Sequence, residues 1–310
     1  MSTDNNYAPI VMFVYNRPGH VKQVIDNLKK CDLAIDSDLY IYSDAAKTDS
    51  QIEKVNEVRK LCEQIKGFNS VTLIKQNNNL GLAKNIIEGV TSIINQYGKI
   101  IVLEDDLLVS QQFLLYMNKC LDNYTDDKTI WHISAWNYPI EASGLPEVFP
   151  IRVMNCWGWA TWKDRWQHFE KNPEKLMYQF NKKMIYDFDM NDSGSFWSQI
   201  VANHQGKINT WAIFWYATIF INQGLCLNPK HSLVTNIGHD GSGTHQSTAQ
   251  QTYTTALQES KIDLDNIIIN QPLKENQLAF NRIVQFYQDL KPGLYKRLKF
   301  KIHKVFGTYR

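Results

Sequence analysis

Between Ile10 and Asp106 the chain alternates short apolar runs with longer stretches of helical spacing, and this alternation constrains the fold more than any other feature. "APIVMFVY" ends at the breaker "NRPGH", after which Val21, Val24, Ile25 and Leu28 recur on one helix face. "DLYIYSDA", "SVTLIKQ" and "KIIVLEDD" are three further short runs, separated by the helical patterns "SQIEKVNEVRKLCEQI" and "NNNLGLAKNIIEGVTSIINQYG". Short continuous apolar runs are what parallel strands covered on both faces look like. The order β-α-β-α-β-α-β therefore predicts an α/β fold on a doubly wound parallel sheet. No Gly-x-Gly-x-x-Gly follows the first run, which argues against a dinucleotide-binding fold of the usual kind.

Past residue 107 the pattern changes. "SQQFLLYMNKCLDNYT" predicts a helix capped by Ser110. "IWHISAWNYP" predicts a strand leading into a loop, and Pro139, Pro146 and Pro150 mark irregular chain. The aromatic block "NCWGWATWKDRWQHF" precedes two helical stretches, "PEKLMYQFNKKMIYDF" and "GSFWSQIVANHQG". Aromatics make up 12% of the 310 residues, with nine Trp, and such rings stack well on sugars and bases.

Several function classes recede on composition. The five cysteines are scattered, with no Cys-x-x-Cys and no Cys/His cluster, so neither a zinc site nor a disulfide framework is expected, and a reduced, cytoplasmic setting fits. The start "MSTDNNYAPI" is too polar for a signal peptide, and no apolar run is long enough to span a bilayer. A net charge of +2 gives no reason to expect a nucleic-acid partner. That charge is unevenly placed: residues 291–310 hold seven Lys/Arg and no acid, while residues 1–290 hold 26 basic and 31 acidic groups, a net of −5. Leu294, Leu298, Ile302, Val305 and Phe306 recur in that tail near helical spacing. A basic amphipathic helix of this kind either rests on an anionic membrane face or packs on the body with a solvated basic side.

The chemistry concentrates at the end of the fourth run, where Glu104, Asp105 and Asp106 stand together. Ligands of open α/β sheets bind beyond the carboxyl ends of the strands. Adjacent carboxylates resist joint ionisation unless a cation relieves them, and hard oxygen ligands suit Mg2+ or Mn2+. A divalent-metal site serving a phosphorylated ligand is one reading; a charged turn is the other. Asn16 and Arg17 after the first run and Asp44 after the second point to the same rim, as a site for a nucleotide and a sugar would require.

"VLEDDLLVSQQFLLYM", "WHISAWN" and "WGWATWKDRW", at this spacing, resemble the GT-A glycosyltransferases over roughly residues 8–245. The pattern is similar to that of N-acetylglucosaminyltransferase I of N-glycan processing and of bacterial sugar transferases akin to family 2. The resemblance implies a Rossmann-like GT-A domain with a nucleotide-binding lobe over 1–107, a donor-sugar and acceptor lobe over 108–250, and a helical extension with a basic tail over 251–310. It implies that Asp106 binds Mn2+ or Mg2+ against the diphosphate of a UDP-sugar, that Asp105 contacts the ribose, and that Glu104 lies near the donor sugar or ribose. Arg17 and Asp44 would hold the base. Lys84, at a predicted helix start, would sit near phosphate, and Gly158 would let the backbone approach a sugar pocket lined by Trp157 and Trp159.

An inverting transferase needs a carboxylate to take the acceptor's proton. The segment where related sequences place one reads "TWAIFW" here, with Ala212 and Ile213 in its stead. Asp240 in "NIGHDGSGTH" is the substitute candidate, with His245 or His239 as a further metal ligand or phosphate contact. The expected activity is transfer of a hexosyl or N-acetylhexosaminyl group to a glycan or lipid-linked acceptor at the inner face of the cell membrane. A nucleotidyltransferase that makes the nucleotide sugar, and a non-catalytic glycan-binding protein, are the alternatives.

Overall fold

A computed structural model describes residues 7–239, 253, 255–257, 262 and 273–291. Asp240, His245 and residues 292–310 lie outside the described residues.

The first half follows the predicted alternation closely. β1 (Ile10–Val14) leads to α1 (Pro18–Leu28), β2 (Asp38–Ser43) to α2 (Ile52–Glu63), β3 (Ser70–Lys75) to α3 (Leu82–Tyr97), and α3 to β4 (Lys99–Glu104). Pro18 opens α1, where its missing N–H costs nothing and its fixed φ suits the helix. Val21, Val24, Ile25 and Leu28 are buried as the periodicity requires. Gly98, at φ +78, closes α3 in the left-handed conformation that glycine adopts without strain.

The second half adds β5 (Leu107–Val109), α4 (Phe113–Asn123), β6 (Ile130–Ser134), β7 (Val148–Ile151) and β8 (Trp159–Trp162). These are followed by α5 (Lys163–Trp166), α6 (Pro173–Gln179), α7 (Lys182–Phe188), α8 (Phe196–His204), α9 (Ala212–Ile221), β9 (Leu225–Pro229), β10 (Val234–Asn236) and α10 (Gln277–Leu290).

Eight strands form one mixed sheet in the order β3-β2-β1-β4-β8-β6-β9-β7, flanked by helices, and β5 pairs with β10 apart from it. The four strands of the first half are parallel, as predicted. The second half makes the sheet mixed: β8 runs antiparallel to both β4 and β6, and β7 runs antiparallel to β9. The aromatic block forms β8, which enters the sheet between β4 and β6.

Two local expectations also change. Ser110 does not cap α4: the helix starts beyond it, with Gln112 in the cap position, and Ser110 instead donates its N–H to Leu233 O at 2.8 Å. The single helix expected over "PEKLMYQFNKKMIYDF" breaks at Phe180, whose φ −83, ψ 118 is extended, and Asn181 caps the second piece by accepting from Met184 N.

Candidate functional site

The register of the strands assembles the site. β1 lies parallel to β4 with Phe13 opposite Glu104, so the residues beyond each strand emerge together. In the order 3-2-1-4 the connection direction reverses between β1 and β4, and that crevice is where open α/β sheets bind ligands. Arg17 follows β1 and the carboxylates follow β4.

Arg17 Nη2 donates to Asp105 Oδ1 and, at 3.0 Å, to Asp106 Oδ2. Tyr15 N donates to the other Asp105 oxygen at 3.2 Å. Burial works against the Arg17 charge, but the two carboxylates outweigh it and hold its pKa above the ordinary value. Burial lifts Asp105 to about 6 against the pull of Arg17. Arg17 also pulls on Glu104, but burial first, then Asp106 and Asp105, outweigh it and push that carboxyl up to about 8.

From the other side, β8 is registered with Trp159 opposite Val102, so Gly158 and Trp157 run past the end of β4. Trp157 is half-buried and meets Trp136 edge-on at 5.2 Å. β10 is registered with Asn236 opposite Leu107, and the chain beyond it crosses Asp106, with Ile237 N donating to Asp106 O at 2.8 Å. His239 then lies 5.8 Å from the Trp157 ring. Among the described residues the buried Arg17 Nη1, His239 Nε2 and Trp136 Nε1 have no hydrogen-bond partner, which is unusual for buried polar atoms.

The sequence-predicted residues separate into two groups. Arg17, Glu104, Asp105, Asp106, Trp157 and His239 come together. Asp44 does not offer a free carboxylate: it already accepts from Ala45 N (2.9 Å), Leu80 N (2.9 Å), Gly81 N (2.9 Å) and Asn79 Nδ2 (3.1 Å). Four bonds fill a carboxylate's acceptor sites, so Asp44 clamps the turn entering α3 rather than presenting oxygens to a base. Trp159 is not a pocket wall. It is 1% exposed, stacked between His132 at 5.5 Å and Trp211 at 5.2 Å, because β8 is an interior strand buried on both faces.

Gly158 has φ +62, and a Cβ there would meet Phe113 at 3.2 Å and Ala135 at 3.4 Å, so packing explains the glycine without a sugar. Lys84 is exposed, 3.7 Å from Glu88 one turn along α3. Ala212 and Ile213 open α9, a nearly all-buried apolar helix with no room for a charge. Trp136 was not singled out as a site residue; its place at the end of a strand that finishes on the same rim was the available signal.

Among the described residues no group of three or more His, Cys, Asp or Glu is arranged to hold a metal ion. The donor set still suits Mg2+ or Mn2+, which need only one or two carboxylates when phosphate oxygens and water complete the shell. A cavity of 340 Å³ lies elsewhere, lined by Gly98, Lys128, Trp162, Asp164 and Arg165 among others and by none of Glu104, Asp105 and Asp106. No described helix is long and apolar enough to cross a membrane.

No protein-family model and no curated protein matches the chain. Among solved structures it is similar to a mannosyltransferase, PcManGT, from Pyrobaculum calidifontis in complex with GDP-Man and Mn2+, at 12% identity over 70% of this chain and 71% of that one, TM-score 0.35. It is similar to the galactosyltransferase LgtC with donor and acceptor sugar analogues, at 10% identity over 68% and 70%, TM-score 0.36. A putative glucose-1-phosphate thymidylyltransferase from Bacillus anthracis aligns at 11% identity over 74% and 89%, TM-score 0.40.

Proposed function

We propose that this chain is a metal-dependent GT-A glycosyltransferase. It moves a hexosyl or N-acetylhexosaminyl group from a nucleotide diphosphate donor, UDP-linked in our reading, to a hydroxyl of a glycan or lipid-linked acceptor in surface polysaccharide synthesis. One observation carries the reading: Arg17 beyond β1 meets Asp105 and Asp106 beyond β4 at the crevice between the two strands.

Asp106 would hold the divalent ion, with Glu104 near the donor sugar or ribose. When bound, that ion supplies Lewis-acid neutralisation of charge on the departing diphosphate. Asp105, fixed by Tyr15 N and Arg17, keeps an oriented carboxylate for the ribose. Trp157 offers a half-buried aromatic face to a sugar ring. Deprotonation of the acceptor is assigned to Asp240, outside the described residues.

The test is a thermal-shift screen of nucleotide sugars with and without Mn2+, since a selective ligand raises apparent stability by mass action. A UDP-sugar should stabilise the protein only with the metal. Asp106→Asn should abolish that shift and lower metal-dependent sugar transfer or donor hydrolysis by about 100-fold or more. A donor shift unchanged in Asp106→Asn removes the reading. Formation of a nucleotide sugar from a nucleoside triphosphate and a sugar phosphate would make the protein a nucleotidyltransferase instead.

A further inference from the structure

We propose that Arg17 is an internal counter-cation that holds the metal carboxylate of Asp106 closed against Asp105 until a nucleotide diphosphate arrives, so that metal and nucleotide bind as a pair. The inference rests on the metal-dependent reading above and adds a role for Arg17 that base binding does not include.

The geometry is specific. One nitrogen, Nη2, serves both Asp105 and Asp106, while Nη1 of the same guanidinium is buried and has no partner. A residue built only to neutralise the two acids would spread its fork over them, as planar guanidinium and carboxylate groups favour. Here half of the fork is held in reserve. The chain after β10 closes over the pair: a Cβ on Gly238 would stand inside contact distance of Asp106 Oδ2 and 3.0 Å from Arg17 Nη1. Any side chain there would force Asp106 or Arg17 to shift, and among the described residues neither Nη1 nor His239 Nε2, both buried, has a hydrogen-bond partner.

Two consequences follow from charge. A divalent cation alone must approach Asp106 against a guanidinium already bonded to it, and like charges at such range repel strongly in a partly buried site. A diphosphate brings negative oxygens that Nη1 can serve, so Arg17 can leave Asp106 without losing a counter-charge. Metal and nucleotide then each raise the affinity for the other by the same factor, as linkage requires.

The experiment is Mn2+ binding followed by calorimetry, with no turnover needed, on the wild type, Arg17→Gln, Arg17→Lys and Lys84→Gln, each with and without UDP. In the absence of UDP, Arg17→Gln should bind Mn2+ at least about ten-fold more tightly than the wild type. Arg17→Lys keeps a charge but lacks the fork, and should fall between them; it decides the matter if the Gln variant folds poorly. Lys84→Gln removes an exposed charge on α3 that is paired with Glu88, and should leave Mn2+ affinity in the absence of UDP unchanged. The enhancement of Mn2+ binding by UDP, large in the wild type, should shrink in Arg17→Gln. Arg17 variants that bind Mn2+ no more tightly than the wild type, or an equal gain in Lys84→Gln, overturn the proposal. UDP-dependent Mn2+ binding by the wild type in the same titration tells that outcome apart from failure of the glycosyltransferase reading, which requires such binding.

Discussion

His132 shows how far a single side chain can be committed by its surroundings. It is fully buried in β6, accepts from Trp215 Nε1 at Nδ1 (3.2 Å) and donates from Nε2 to Asn155 O (2.9 Å), which fixes the neutral tautomer. Burial pushes its pKa down to about 3, against the smaller raising effect of the Asn155 bond. The unfolded chain therefore takes up a proton near pH 6.5 that the folded chain refuses. Stability is full above pH 6.5 and falls by about 1.4 kcal/mol for each pH unit below it, down towards pH 3. Because the raised Glu104 and Asp105 carboxyls act in the opposite sense, the histidine is read by difference: between pH 7.0 and 5.5 urea unfolding should show the wild type losing about 1 kcal/mol relative to His132→Gln, and parallel pH dependence in the two would acquit His132. Asp44 gives a second residue-scale test. If its four bonds make it a clamp, Asp44→Ala should cost about 1–3 kcal/mol of stability through the N–H groups it orphans. A variant of unchanged stability with weakened nucleotide binding would return Asp44 to the base-binding role.

At the scale of elements, β10 and β5 hold the chain after β10 over the carboxylates, and Gly238 is the point of closest approach. Gly238→Ala should displace Asp106 or Arg17 and weaken UDP binding with Mn2+ by about ten-fold, while a pair of strands outside the main sheet absorbs the strain with little change in melting temperature. A large fall in melting temperature would show the position to be structural. The helices and strands up to β4 were legible because their signals are local: a breaker, a period, a cap. Trp159 was misassigned because a tryptophan reads the same on a pocket wall and in a core, and only the antiparallel register of β8 decides which. Ser110 failed as a cap because the cap position of α4 falls two residues later, at Gln112, and the long-range bond from the Ser110 N–H to Leu233 O, more than a hundred residues away, leaves no local signal.

Across the whole molecule, one sheet joins both halves of the chain, and α10 docks on its far side through Ala279, Phe280 and Ile283. Arg152 packs over the Phe280 ring at 4.6 Å and bonds Glu275 through Nε at 2.9 Å, and Tyr138 meets Tyr287 at 2.8 Å. A chain ending at Lys291 should keep the wild-type melting temperature and lose binding to vesicles containing anionic lipid, whereas one ending before Leu273 should be destabilised by several kcal/mol from the exposed apolar face. Retained vesicle binding by the first truncation would place membrane contact elsewhere. By itself the sequence determined the parallel half of the sheet and the three consecutive carboxylates at its edge, because apolar period and adjacent charge are properties of neighbours along the chain. Only the tertiary structure decided that Arg17 would close on Asp105 and Asp106, that Asp44 would be spent on a turn, and that Gly238 would lie over Asp106, because each depends on strand register bringing together residues far apart in sequence.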